Sequence, residues 1–125
     1  MRLLKNGIFL LLSVASGMMA AYAADMPKEL FGYYESDSKF CAQAKKLFAS
    51  GGQTGGIDIR QESIGFIEST CSPTRVVKRG VGSYTLNLSC AGEGEEWKVT
   101  TTYSIKGKVL TISDSDGVSQ YLRCW

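Results

Sequence analysis

The side chains with the most chemistry to offer in this 125-residue chain are four cysteines, Cys41, Cys71, Cys90 and Cys124, and no histidine accompanies them. Without an imidazole there is no usual general base, no histidine metal ligand and no Ser-His or Cys-His nucleophile pair. No two of the cysteines stand in C-x-x-C spacing, so neither a thioredoxin-like redox site nor a cysteine zinc site is indicated. An even count in a small exported chain instead predicts two disulfides, which leaves no thiolate for catalysis.

Carboxylates and glycines are the other candidates. Glu93, Glu95 and Glu96, with Asp114 and Asp116 further on, are oxygen donors of the kind calcium takes. Their spacing completes no calcium loop, and Asp114-Ser115-Asp116-Gly117 lacks a closing glutamate, so solvated turns and no metal are expected. A paired-carboxylate hydrolase needs a cleft walled on both sides, which scattered acids in so small a domain do not furnish. The glycines from Gly51 to Gly56 match a phosphate loop in composition only. No Lys-Ser or Lys-Thr follows, and Ile57-Asp58-Ile59-Arg60 reads as a strand, so no helix amino terminus stands ready for an anion. The expectation is a protein that is not an enzyme and holds no cofactor.

The amino terminus reads as a cleavable signal peptide over residues 1–23. Arg2 and Lys5 form a basic head, the apolar stretch from Gly7 to Ala20 is short for a bilayer span, and Ala21-Tyr22-Ala23 supplies the small residues of a cleavage site. An uncleaved anchor is the competing reading. No cysteine stands near the site to carry a lipid. Cleavage takes Arg2 and Lys5 from fourteen basic residues and nothing from the twelve acidic ones, leaving twelve of each. A neutral mature chain gives no support to nucleic-acid binding or to a stable hold on an anionic membrane. Residues 24–125 are expected to form a single disulfide-stapled β domain, periplasmic or secreted.

The elements that must position these groups are mostly strands. Tyr84, Leu86, Leu88 and Cys90 alternate with polar residues, as do Trp97, Val99, Tyr103 and Ile105, then Leu110 and Ile112. Earlier strands are expected over 30–35, 57–60 and 64–68. Between them Phe40, Cys41, Ala44, Leu47 and Phe48 recur at helical spacing, predicting one short amphipathic helix from about Ser38 to Ala49, ended by Ser50-Gly51-Gly52. The run Arg75-Val76-Val77-Lys78-Arg79 fits a strand with a charged edge.

Turn positions then set the registers. A two-residue turn at Gly80-Val81 puts Cys71 opposite Cys90, within disulfide reach, and requires Pro73 to sit at an edge or bulge; Cys41 with Cys124 follows by elimination. A turn at Lys106-Gly107 puts Tyr103 opposite Leu110. A three-residue turn at Ser115-Asp116-Gly117 puts Leu110 opposite Leu122, and turns Tyr121, Arg123 and Trp125 together to the other side. The fold class expected is mainly β, a small antiparallel meander or lipocalin-like β-barrel.

The order of one helix and seven or eight short strands resembles, in architecture, the small exported bacterial barrels that include lipocalin-like protease inhibitors and lysozyme inhibitors. No motif carries inhibitory residues across. With catalysis set aside, two roles remain. One is an interaction module or inhibitor that binds an extracytoplasmic protein through Tyr121, Arg123 and Trp125 with Tyr34, residue types that anchor interfaces, the competing reading being that these aromatics pack under the helix. The other is a carrier of a small apolar ligand in a barrel lined by Trp97, Tyr103, Leu86, Leu88 and Ile112. Mass analysis of the exported protein should find an amino terminus at Ala24; one still at Met1 would remove the basis for the oxidising compartment.

Overall fold

The computed structural model describes residues 24–52 and 54–125, and the expected signal peptide lies outside them. In chain order come a 3₁₀ turn at Lys28–Leu30, strand β1 at Gly32–Glu35 and helix α1 at Lys39–Ala49, then β2 at Ile57–Ile59 and β3 at Ile64–Gly65. Longer strands follow: β4 at Thr70–Gly80, β5 at Ser83–Gly92, β6 at Glu95–Lys106, β7 at Val109–Asp114 and β8 at Gly117–Arg123. Each pairs antiparallel with the next, and β8 returns to β1, closing an eight-stranded barrel. Among the described residues no helix is long and apolar enough to cross a membrane.

Period-two patterning decides which side chains enter the barrel. Tyr84, Leu86, Leu88 and Cys90 of β5 are buried while their neighbours are not. Across the ladders they meet Tyr103, Thr101, Val99 and Trp97 of β6, and Leu110 of β7 joins them inside. The core therefore lies within the barrel, as the alternation predicts.

The hairpin registers depart from expectation in instructive ways. The first turn is Val81-Gly82, with Gly80 opposite Ser83. Gly82 takes φ 66°, and a Cβ there would stand 2.9 Å from the Ile105 carbonyl, whose own N–H donates to the Gly82 carbonyl at 2.8 Å. Only glycine suits that position. The shift from the expected turn is undone by register breaks between Pro73 and Arg75 and between Val76 and Lys78, so Cys71 still faces Cys90. Two bulges each add a residue to β4, and Pro73 stands at one of them, where its missing N–H costs no ladder bond.

The second turn is Gly107-Lys108, which puts Tyr103 opposite Ile112 instead of Leu110; the two-residue shift preserves the buried face. The last turn is the two-residue Ser115-Asp116, with Asp114 opposite Gly117. The Asp116 N–H donates to the Asp114 carboxylate at 2.8 Å and holds it. Leu110 therefore faces Tyr121, and not Leu122 as expected. That single-residue difference turns Tyr121 and Arg123 into the barrel.

The helix runs where the spacing predicts, with Ser38 at its N-cap position. Ser38 makes no side-chain cap bond, and the Asp37 carboxylate accepts the Lys39 N–H at 3.0 Å instead. At the other end Gly51 takes φ 80°, with the Gly52 N–H on the Leu47 carbonyl and the Gly51 N–H on the Phe48 carbonyl. This left-handed cap is the stop that Ser50-Gly51-Gly52 predicts. The helix stands outside the barrel, where Phe48 meets the Tyr33 ring at 5.3 Å and the Trp125 ring at 5.7 Å. Ala44 is buried, but Phe40, Leu47 and Phe48 remain exposed, so the expected apolar stripe is only partly covered.

Both disulfides pair as the sequence implies, Cys41 with Cys124 and Cys71 with Cys90. They span 83 and 19 residues respectively. In the chain-entropy account the longer loop contributes about 4 to 5 kcal/mol and the shorter about 3. Urea denaturation should show Cys41→Ser with Cys124→Ser costing more than Cys71→Ser with Cys90→Ser; the reverse order would place the stabilisation in the folded barrel, not in the unfolded chain.

Candidate functional site

The two ends of the barrel differ. At the end bearing the Val81-Gly82 and Gly107-Lys108 turns, the 3₁₀ turn folds inward and buries Leu30, with Met26 beside it in the core. Arg123 clasps it: Nη2 donates to the Glu29 carbonyl at 2.5 Å and to the Tyr34 hydroxyl at 2.9 Å. The Tyr34 hydroxyl in turn donates to the Leu30 carbonyl at 2.8 Å, and the Tyr84 hydroxyl bonds the Glu29 carboxylate. Burial pushes the Tyr34 hydroxyl above its ordinary pKa, and Arg123 works against that rise. The Tyr84 hydroxyl is raised chiefly by its bond to Glu29. This end is plugged and its hydrogen bonds are made.

The other end is open. A cup of about 480 Å³ descends into the barrel between the β3–β4 connection, the β5–β6 hairpin and the β7–β8 hairpin. Leu88, Val99, Ile112 and Tyr121 wall it, and Trp97, 41 % exposed, stands at its mouth. Polar groups lie deeper. Thr101 and Tyr103 line the cup although they are 3 % and 1 % exposed, and among the described residues neither hydroxyl has a hydrogen-bond partner. Burial drives the Tyr103 hydroxyl far above its ordinary pKa, and the negative charge of Asp114 adds to the shift.

The rim is acidic. Asp114 and Asp116 line the cup, and Glu68, Glu93 and Glu95 line the adjoining hollow that shares Phe66, Ser69 and Trp97 with it. Lys98 is the one cation lining either of these hollows among the described residues. No three of the described Cys, Asp or Glu side chains converge as a metal site would require.

The four residues expected to form a binding face are not brought onto one surface. Tyr34 is fully buried and Arg123 is engaged in the closed-end clasp. Trp125 lies outside the barrel, stacked on Tyr33 at 4.8 Å. Tyr121 alone reaches the cup. The register of the last hairpin accounts for this, because a one-residue change exchanges the inner and outer faces of β8.

Trp97, Tyr103, Leu88 and Ile112, expected as barrel lining, do line the cup, whereas Leu86 belongs to the filled interior. Asp114 and Thr101 were not foreseen as part of it. Thr101 carried a legible signal, since it is a polar residue on the inward register between Val99 and Tyr103.

Comparison with protein-family profiles, with characterised proteins and with solved structures finds no match to this chain. Its class is that of a closed antiparallel β-barrel with one external helix and two disulfides. Because Arg123 completes the plugged end, Arg123→Ala should destabilise the domain by about 2 to 3 kcal/mol in urea denaturation. Unchanged stability would mean that the clasp contributes nothing to closure.

Proposed function

We propose that the mature domain is an exported, non-catalytic binding protein, acting as an inhibitor or interaction module on a protein of the cell envelope through the open end of its barrel. The observation that carries this is the cup, which is open to solvent on one side while the opposite end of the barrel is plugged. An aromatic at the mouth and apolar walls are features of an anchor pocket at an interface. Two staples add to this, since a preorganised surface loses little entropy on binding.

A carrier of a small apolar ligand is the second reading, favoured by the apolar walls. Carrier sites enclose most of the ligand surface. Here Leu30, Tyr34, Leu86 and Leu110 occupy the interior beyond the cup, which favours a protruding group of a larger partner over an engulfed molecule.

The test starts from the mature domain immobilised against an envelope extract of the source cells, with the captured protein then purified and its affinity measured. Trp97→Ala at the mouth should weaken binding about tenfold or more without lowering the melting temperature. Trp125→Ala, on the helix side, should leave the affinity unchanged. Loss of binding through Trp125 alone would move the surface to the helix, and a small apolar ligand recovered with the wild-type domain would replace this reading with the carrier.

A further inference from the structure

Two side chains in the depth of the cup present hydroxyls that make no hydrogen bond within the described residues. Thr101 and Tyr103 are almost wholly buried as residues, yet no buried side-chain oxygen among the described residues lacks a partner, so these two unpaired hydroxyls keep their accessible surface toward the cup they line. A hydroxyl that bonds nothing within the protein adds little to the barrel's own stability and remains free to bond a group that enters the cup. Nothing in the packing of β6 demands these polar groups: valine and phenylalanine have nearly the same shapes. Asp114 lines the same cup, and its negative charge adds to the upward shift that burial imposes on the Tyr103 hydroxyl. Above it the hollows are lined by Asp116, Glu68, Glu93 and Glu95 against the single cation Lys98.

Charge is thus segregated in a mature chain that is formally neutral. The turns at the plugged end lie beside Lys78, Arg79, Lys106 and Lys108, while the acids just named surround the mouth. Such a distribution draws a cation toward the open end and repels an anion from it.

We propose that the cup receives a basic side chain, a lysine ammonium or an arginine guanidinium, presented by an extended segment of a partner polypeptide. This rests on the reading of the open end as the binding surface and names what enters it. The aliphatic stem of such a side chain lies along Leu88, Val99 and Ile112, and its head reaches acceptors on Asp114, Tyr103 and Thr101. Trp97 at the mouth offers a ring face to the same cation. A polypeptide segment fits better than a free amine, because about 480 Å³ exceeds what one side chain fills and the acids extend along the rim into the next hollow.

The test uses Trp97 fluorescence in the Trp125→Phe protein, where Trp97 is the remaining indole. The probes are a blocked hexapeptide of alternating lysine and glycine, the same peptide acetylated on every lysine, and its glutamate counterpart. The lysine peptide should perturb Trp97 saturably, acetylation should weaken binding about tenfold, and the glutamate peptide should not bind. Asp114→Asn should weaken the lysine peptide about fivefold to tenfold at unchanged melting temperature.

Tyr103→Phe separates this role from a structural one. It should leave the melting temperature unchanged, since the hydroxyl makes no bond within the domain, while weakening the lysine peptide. A fall in melting temperature with unchanged affinity would assign Tyr103 to structure and overturn the proposal. So would equal binding of the acetylated peptide, indifference to Asp114→Asn, or no response of Trp97 to the lysine peptide at millimolar concentration. Those failures leave the wider reading standing if Trp97→Ala still weakens the purified partner. Conversely, lysine-peptide binding with a partner indifferent to Trp97→Ala would sustain the cation site and sink the wider reading.

Discussion

The barrel closes through only two residue pairs, Tyr34 with Arg123 and Glu35 with Leu122. The β2–β3 and β3–β4 ladders are equally short, but the β1–β8 seam is the one that joins the two ends of the sheet, and an unpaired edge there would be open to pairing with other chains. It is reinforced from both sides. Inside, the Arg123 guanidinium joins β8 to the Tyr34 hydroxyl of β1 and to the Glu29 carbonyl of the 3₁₀ turn. Outside, the Cys124 N–H donates to the Tyr33 carbonyl at 2.7 Å, the Tyr33 N–H donates to the Trp125 carbonyl at 2.9 Å, and the two rings stack. The Cys41–Cys124 bond then ties the helix across the same seam. Covalent, aromatic and charge-assisted contacts are gathered where the two ends of the sheet meet.

That clasp also makes the barrel asymmetric. By drawing the 3₁₀ turn inward it fills one end with Leu30, Tyr34 and Leu110, and the cup opens at the other. The plugged end has its polar groups paired. The open end keeps Thr101 and Tyr103 unpaired beneath an acidic rim. Hydroxyls left free within an open cup are available to a group that enters it.

The helix contributes less to the core than its amphipathic pattern suggests. Its fixed points are Ala44, the Phe48 ring and Cys41, while Phe40 and Leu47 stay exposed. Close approach is concentrated instead in the connection that follows. The Gly56 N–H donates to the Tyr33 hydroxyl at 3.0 Å, and a Cβ at Gly56 would overlap that ring. The glycine-rich stretch thus has one position fixed by packing, in addition to the Gly51 cap.

Local physics was legible in the sequence. Alternation in β5 and β6 identified the inward faces, because period two is a property of the strand itself and survives a register shift of two residues. The disulfide pairing was legible too, although the Gly80-Val81 turn used to reach it was displaced and only the bulges in β4 restored the match. What tertiary structure decided was whatever depended on odd shifts and on distant neighbours. The last turn differs by one residue from the expected one, and that reversed Tyr121 and Arg123. Arg123 became a closing clasp because the 3₁₀ turn, some ninety residues earlier, arrives beside it. The cup exists because the plug occupies the opposite end. No local pattern encodes which end of a barrel will be filled: that follows from closure, which brings together residues from every part of the chain.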